Sequence, residues 1–197
     1  MNEDTHKKIT EWQMSSKEKN NMSTLSILNN IRKANPDYNN MRQWTGFFFD
    51  QKFKLPFSND ISQVGERKQY FLDYKILLDY NIDLETIGQV LEALYPSMKF
   101  DKIPQVAYAE CKTNWELGPH THDNEIALHM TVFLNEEENE GLYVHDTDKN
   151  FFQDATYVKN VYDNCCVFPF TGKEWHGING KKIIDTRKLL YIDWMKV

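Results

Sequence analysis

The sequence has few cysteines and no long apolar run. Its three cysteines are Cys111, Cys165 and Cys166, and an odd number with two adjacent residues does not form a disulfide framework. This favours a reducing, cytoplasmic location. No apolar run approaches the roughly 18 residues needed to cross a bilayer, and the charged N-terminus has no apolar segment behind it, as a secretory signal would. We therefore expect no membrane partner.

The chain also lacks an excess of positive charge. Its formal net charge is -6, so it would not attract the phosphates of a nucleic acid, and we expect no nucleic-acid partner. Aromatic residues, in contrast, make up 14% of the chain, which is typical of a β-rich interior. A chain of 197 residues is long enough for one domain with its own core.

Two regions precede the predicted core. Residues 1–22 are polar and predict a flexible N-terminal tail. Residues 23–102 predict a helical and aromatic support region, with one short helix starting at Ser23 and a second one that Asp83 caps and Pro96 ends. Both helices place apolar residues at helical spacing, so each is expected to pack on a sheet.

The stretches that join these elements are less regular. Residues 58–70 are polar and predict a loop, and residues 71–80 are compatible with a helix or a strand. Further along, the acidic residues 135–140 predict a solvated hairpin tip.

Residues 103–197 are predicted to form the core domain, a series of short strands separated by polar turns. The predicted strands span residues 104–111, 114–121, 126–134, 141–145, 156–161, 164–169, 174–178 and 187–194. No helical pattern interrupts them, which favours a sandwich or barrel. The predicted fold is mainly β with N-terminal helices (α+β), built on a double-stranded β-helix, or jelly-roll, core.

A group of histidines predicts a metal site in this core. In a strand, residues i and i+2 point to the same face, so His120 and His122 can hold one ion. A third histidine, His176, comes late in the chain, and a jelly roll brings such distant strands together. Three ligands on one face would leave coordination positions open. Eleven residues later, Arg187 begins an apolar strand, and its guanidinium is suited to a carboxylate.

This ordered set of residues resembles the Fe(II)- and 2-oxoglutarate-dependent oxygenases, in particular their prolyl-hydroxylase-like branch. The similarity covers about residues 103–194. It rests on the Gly-Pro-His segment at 118–123, the strand at 130–135, the glycine turn at 140–143, the phenylalanines and Trp-His-Gly at 168–177, and Arg187.

The resemblance implies an enzyme, a 2-oxoglutarate-dependent non-haem iron dioxygenase. Such an enzyme would use O2 to hydroxylate an unactivated carbon of a peptide side chain or small metabolite, with release of succinate and CO2. Fe(II) would be held by His120, His176 and a third ligand. The far carboxylate of 2-oxoglutarate would pair with Arg187, helped by the hydroxyl of Tyr108 or Thr186.

The third metal ligand is open between two neighbouring residues. The family has a carboxylate two positions after the first histidine, where this chain has His122. A one-residue bulge would bring Asp123 into the site and give two histidines and one carboxylate. We expect Asp123 to be the anionic ligand, with His122 as the alternative in a three-histidine site.

Two other functional classes remain compatible with the sequence. A cupin-type metal enzyme without 2-oxoglutarate would use His120, His122, Glu125 and His176, and it would leave Arg187 without a role. A non-catalytic jelly-roll binding module would hold no metal tightly.

The remaining histidines of the core are His129 and His145. We expect His129 to be a core or cleft residue and His145 to lie near the substrate mouth. The identity of the substrate and the oligomeric state are not encoded in any motif.

Overall fold

The computed structural model describes residues 22–34, 36–38, 41–45, 53–55, 61–64, 66–122, 125–162 and 164–197. Asp123 and nearly all of the predicted tail lie outside these residues. The described helices are α1 (Met22–Lys33), α2 (Leu84–Leu94) and α3 (Phe151–Asp154), with 3-10 helices at Tyr74–Tyr80 and Gly180–Lys182. None of them is long and apolar enough to span a membrane.

Twelve strands are described. They are β1 (Pro36–Tyr38), β2 (Met41–Thr45), β3 (Ile61–Val64), β4 (Arg67–Leu72), β5 (Gln105–Cys111), β6 (Leu117–His120), β7 (Ile126–Phe133), β8 (Asn139–His145), β9 (Thr156–Asn160), β10 (Asn164–Pro169), β11 (Trp175–Ile178) and β12 (Arg187–Met195). All eight strands predicted for the core are present, and their ends differ from the prediction by at most about three residues.

The strands form two antiparallel sheets. The large sheet has the order β1-β2-β10-β7-β12-β5-β4-β3, and the small sheet has the order β6-β11-β8-β9. Several strands that are neighbours in space, such as β2 and β10, β7 and β12, and β6 and β11, are distant in sequence, as in a jelly roll. The predicted fold class, mainly β on a jelly-roll core, is confirmed.

The large sheet has two faces with different environments. On β12, Leu190, Ile192 and Trp194 belong to an apolar cluster shared with α1 and α2. The alternate residue Leu189 belongs to a second cluster, which is shared with the small sheet. The same alternation runs through β5, β7 and β10, because successive side chains of a strand point to opposite faces. We call these faces the helix-facing side and the inner side.

Both predicted helices are present and cover the helix-facing side. The side chain of Asp83 accepts hydrogen bonds from the backbone N–H groups of Glu85 (3.1 Å) and Thr86 (3.2 Å), which satisfies two donors at the start of α2. The C-terminal end of α2 is at Leu94, two residues before Pro96. Helix α1 begins at Met22, one residue before the predicted start.

The loop predicted for residues 58–70 is wrong. Strands β3 and β4 occupy most of it and extend the large sheet beyond β5. The segment is polar because β4 directs Arg67 and Gln69 toward a cavity on the inner side instead of toward an apolar core. Residues 71–80, for which the sequence allowed either a helix or a strand, contain the end of β4 and a 3-10 helix.

The hairpin tip predicted for residues 135–140 is correct only in part. Asn139 and Glu140 begin β8 and are buried, with 5% and 3% of their surfaces exposed. Polar partners meet part of the cost of burial: the Nδ2 of Asn139 donates to the Asp185 carbonyl, and the Glu140 backbone carbonyl accepts from Arg187. The Oε1 of Glu140 has no hydrogen-bond partner among the described residues. Partners this distant in the sequence cannot be recognised from the acidic run alone.

Candidate metal site and its cavity

Three histidines meet on the inner side of the jelly roll. His120, at the end of β6, is the cross-strand partner of His176 on β11, and His122 follows two residues later. One ring nitrogen from each histidine lies within 4.8 Å of the others. The ring centroids of His120 and His176 are 4.1 Å apart, and each lies 5.0 Å from that of His122. This arrangement can hold one metal ion.

Backbone carbonyls orient two of these rings. The Nδ1 of His120 lies 3.0 Å from the Gly118 carbonyl oxygen, and the Nδ1 of His176 lies 3.4 Å from that of Glu174. A carbonyl only accepts hydrogen bonds, so Nδ1 carries the proton in each ring. The Nε2 lone pairs of His120 and His176 are therefore available to a metal ion.

The electrostatic environment keeps the three rings neutral. Burial is the main cause that lowers the pKa of all three, and for His122 the pKa falls to about 4. For His176, which is buried, the pKa lies well below its usual value, and repulsion from His120, His129 and His122 adds to the effect of burial. Neutral imidazole is the form that binds metals, so the site is prepared for an ion at neutral pH.

The histidines line a cavity of about 350 Å³ between the two sheets. The small sheet and the loop after it contribute Leu117, His120, His122, Leu142, His176 and Ile178, and the large sheet contributes Arg67, Gln69, Ile126, His129, Tyr191 and Asp193. A cavity of this size with apolar walls and a few convergent polar groups is typical of a small-molecule or side-chain site.

His129 lines this cavity, and both of its ring nitrogens form hydrogen bonds. Its Nδ1 hydrogen-bonds the Oδ1 of Asp193 at 2.5 Å, and its Nε2 lies 2.9 Å from the Thr131 hydroxyl oxygen. A ring held from both ends has no lone pair free for a metal ion. The expectation of a core or cleft histidine is thus met, and Asp193 is a cavity carboxylate that the sequence reasoning missed.

The structure places Arg187 on the inner side but outside the cavity lining. The residue is wholly buried. Its Nε donates to the Glu140 carbonyl (2.7 Å) and its Nη2 to the Gly141 carbonyl (3.2 Å). Its Nη1 has no hydrogen-bond partner among the described residues, so both N–H groups of Nη1 remain for a carboxylate. Position 141 requires glycine, because a Cβ there would lie 1.9 Å from the Val158 carbonyl oxygen.

The other predicted cosubstrate residues are not brought to the cavity. Tyr108 belongs to the cluster on the helix-facing side, and its hydroxyl donates to the Oε1 of Glu110 at 2.9 Å. The carbonyl of Thr186 accepts from Asn135. His145 ends β8 and pairs with Asp146 at 2.9 Å instead of lining the cavity. Asp123 lies outside the described residues, and its role as a ligand stays a prediction.

Solved structures with the same architecture are prolyl hydroxylases and related oxygenases. A prolyl-4-hydroxylase from Pseudomonas putida has a TM-score of 0.51 at 15% identity, covering 66% of this chain and 72% of its own. A 2OG-Fe(II) oxygenase family member from Burkholderia pseudomallei has a TM-score of 0.51 at 9% identity, covering 69% and 71%. The chain has the fold of a 2OG-Fe(II) oxygenase.

The likeness extends over almost the whole chain in a third case. A prolyl hydroxylase from Trichoplax adhaerens, solved with a peptide fragment of the hypoxia inducible factor oxygen degradation domain, has a TM-score of 0.53 at 10% identity and covers 94% of this chain and 93% of its own. At these identities the likeness is one of fold. No protein-family model matches the sequence, and no curated protein matches it.

The residues of the cavity fit a divalent metal of the kind that this fold implies. Three neutral imidazoles with convergent nitrogens are ligands suited to Fe(II). Within the part of the chain that the structure describes, this group of three contains no carboxylate, and its histidines suffice for a facial set of ligands. The orphaned Nη1 of Arg187 fits an anionic partner. The chain therefore combines an oxygenase fold with a histidine group that could hold a metal ion.

Proposed function

We propose that this protein is an Fe(II)- and 2-oxoglutarate-dependent dioxygenase that hydroxylates an unactivated carbon of a peptide side chain or small metabolite. The observation that carries the proposal is the group of three histidine donors within 4.8 Å of one another, facing a cavity of an oxygenase fold. Bound Fe(II), with 2-oxoglutarate and O2, would supply the oxidant and release succinate and CO2.

The proposed ligands are His120, His176 and His122, with Asp123 as the alternative to His122. The choice changes the charge of the site. Three imidazoles leave both charges of Fe(II) uncompensated, whereas a carboxylate would cancel one of them. A three-histidine site would therefore bind the dianion 2-oxoglutarate more strongly through its charge.

Arg187 is the proposed partner of the far carboxylate of 2-oxoglutarate. Its free Nη1 supports this role, and its bonds to the carbonyls of Glu140 and Gly141 hold the guanidinium in one orientation. The cosubstrate contacts predicted for Tyr108 and Thr186 stay predictions. The apolar side chains in the cavity wall would exclude water from the reacting carbon. They are Leu117, Ile126, Leu142 and Ile178.

The substrate and the location are proposed in broader terms. The cavity is large enough for a side chain or a small metabolite, and a fold relative has been solved with a peptide. All three cysteines are buried and none of them forms a disulfide, which fits the proposed cytoplasmic location.

The test is an anaerobic titration with Fe(II) and 2-oxoglutarate. A 2-oxoglutarate chelate of Fe(II) absorbs visible light through metal-to-ligand charge transfer, so the wild-type protein should develop this band. His176→Ala should abolish it, while His145→Gln, a histidine variant outside the cavity, should retain it. A folded wild-type protein that binds Fe(II) but gives no band would contradict the proposal.

The all-histidine donor set also favours a second candidate, a cupin-type metal enzyme that does not use 2-oxoglutarate. Such a protein would bind the metal through His120, His122 and His176, with Glu125 as a fourth ligand, and Arg187 would be structural. It would retain the metal in the anaerobic titration but show no 2-oxoglutarate-dependent band. An Asp123→Ala variant with unchanged metal binding would assign the third ligand to His122 in either candidate.

A further inference from the structure

Two arginines flank one cysteine on the inner side of the large sheet. Arg67 of β4 and Arg187 of β12 are both cross-strand partners of Cys111 of β5. Burial raises the pKa of the Cys111 thiol, and the charges of both arginines act against that rise. Like charges at close positions of a sheet are unfavourable unless an anion compensates them.

The two guanidinium groups differ in their partners. Arg187 is wholly buried and donates to two backbone carbonyls. Arg67 instead lies between two aromatic rings, 5.5 Å from the Trp115 centroid and 5.1 Å from that of Tyr191. Its Nε is buried without a hydrogen-bond partner among the described residues. The two rings attract the guanidinium charge but give its Nε–H no acceptor.

Arg67 faces the same cavity as the histidines. It and Gln69 line the cavity from β4, two residues apart and therefore on one face. The cross-strand partner of Gln69 is Ala109, whose small side chain leaves space above the sheet. Asp193, a carboxylate in the lining of the cavity, is already engaged by His129.

The hydrogen bonds of the cavity are thus incomplete at Arg67, whose Nε lacks an acceptor among the described residues, and a bound ligand can supply that acceptor. A buried N–H of a charged group that has no acceptor has lost its hydrogen bond to water without replacement, which is unfavourable. A carboxylate matches the guanidinium fork with two parallel hydrogen bonds. Gln69 can add a third hydrogen bond through its amide N–H.

We infer that Arg67, assisted by Gln69, is a carboxylate-binding subsite of the histidine cavity. The inference rests on the proposed function in that the cavity is the reaction site. The carboxylate belongs either to the substrate or to 2-oxoglutarate. In the first case the substrate is an anionic metabolite or an acidic peptide group. In the second case Arg67, instead of Arg187, binds the far carboxylate of 2-oxoglutarate. The chemistry of recognition is the same in both cases.

The experiment measures carboxylate binding by calorimetry to protein loaded with Zn(II), which does not support turnover. The probes are 2-oxoglutarate, pyruvate, which has the same chelating end but no far carboxylate, and glutarate added to protein saturated with 2-oxoglutarate. Arg67→Gln removes the guanidinium. Lys68→Gln is the matched control, because it removes the same charge from the next residue of β4, on the other face.

Each result assigns the subsite or rejects it. If Arg67→Gln weakens 2-oxoglutarate binding by about 10- to 100-fold and leaves pyruvate binding unchanged, Arg67 binds the far carboxylate of the cosubstrate. If 2-oxoglutarate binding is unchanged but glutarate binding is lost, Arg67 binds a substrate carboxylate. Equal affinities of Arg67→Gln and Lys68→Gln for every probe would overturn the inference.

A second variant covers the case in which Arg67→Gln does not fold. Gln69→Glu is nearly isosteric and introduces a carboxylate on the same face of β4 as Arg67. This carboxylate should compete with the ligand for the Arg67 guanidinium and weaken carboxylate binding by a similar factor. Unchanged binding to a folded Gln69→Glu protein would also count against the subsite. Zn(II) affinity, measured separately, reports on the histidine site, and glutarate binding to metal-free protein reports on Arg67 even if the proposed iron chemistry is wrong.

Discussion

The two faces of the large sheet are formed by the same strands but differ in the side chains that they carry. On the helix-facing side, β12 contributes Leu190, Ile192 and Trp194, all buried in an apolar cluster. On the inner side, the same strand contributes Arg187, which is wholly buried, and Asp193, which lines the cavity. The helix-facing side resembles an ordinary core, whereas the inner side contains charges.

This difference indicates where stability and where chemistry reside. Apolar burial stabilises the fold by about 25 cal/mol per Å², while a buried charge costs free energy unless it is paired. The inner side therefore carries polar groups at a cost that internal hydrogen bonds, such as that between Asp193 and His129, offset in part and that a bound ligand or metal would offset further. Each face should then respond to mutation in its own way.

The largest effect is expected on the helix-facing side, from Ile192→Ala. Ile192 is wholly buried, and removing its side chain leaves a cavity in the core. We expect the free energy of unfolding to fall by about 3 kcal/mol, measured by urea denaturation. The metal affinity of the folded protein should stay unchanged. The exposed neighbour variant Lys188→Ala should cost less than about 0.5 kcal/mol.

His176→Ala on the small sheet is expected to reduce metal affinity strongly and stability only a little. Metal affinity should fall at least about 100-fold, which corresponds to about 2.7 kcal/mol, because one of three ligands is lost. The unfolding free energy of the metal-free protein should change less than in Ile192→Ala, since burial of a polar imidazole stabilises the fold less than burial of an apolar side chain. Equal losses of stability in both variants would mean that the faces do not differ as described.

The apolar elements of both sheets and the helices are the part that the sequence predicted best. The eight core strands, four of which form the small sheet, could be recognised as short segments rich in β-branched and aromatic residues, and α2 from Asp83 and its apolar spacing. Strand β4 was missed because its inner residues, Arg67 and Gln69, are polar. A residue that serves a cavity breaks the pattern by which a strand is recognised.

Site residues were predicted unevenly for a related reason. His120, His122 and His176 could be found because histidines at this spacing are chemically distinctive. Asp193 could not, because a carboxylate on the last strand gains meaning only from His129 on the neighbouring strand. Tyr108 was expected at the cosubstrate, yet it lies on the helix-facing side, out of phase with its inner-side neighbours on β5.

A smaller effect is expected from Asp193→Asn on the inner side. The amide retains the shape of the side chain but loses the charge that accepts from His129, so we expect a loss of about 1–2 kcal/mol in unfolding free energy. Metal affinity should fall less than about 10-fold, because His129 is not among the ligands. A loss as large as that of His176→Ala would place His129 and Asp193 in the metal site. Asp101→Asn, at an exposed position, is the control.

The smallest effect concerns pH and again separates the faces. The pKa values of His120, His122 and His176 are lowered in the folded state, while an unfolded histidine titrates near about 6.5. Below about pH 6.5 the unfolded chain therefore binds protons that the folded chain does not, so the metal-free protein should lose stability as the pH falls toward about 4. Each histidine contributes less than about 1.4 kcal/mol per pH unit. Urea denaturation between about pH 7 and 5 should show a shallower loss of stability for His122→Gln than for wild type. Ile192→Ala, which removes no titratable group, should show the same slope as wild type. A slope equal to wild type in His122→Gln would show that His122 is not held neutral by the cavity.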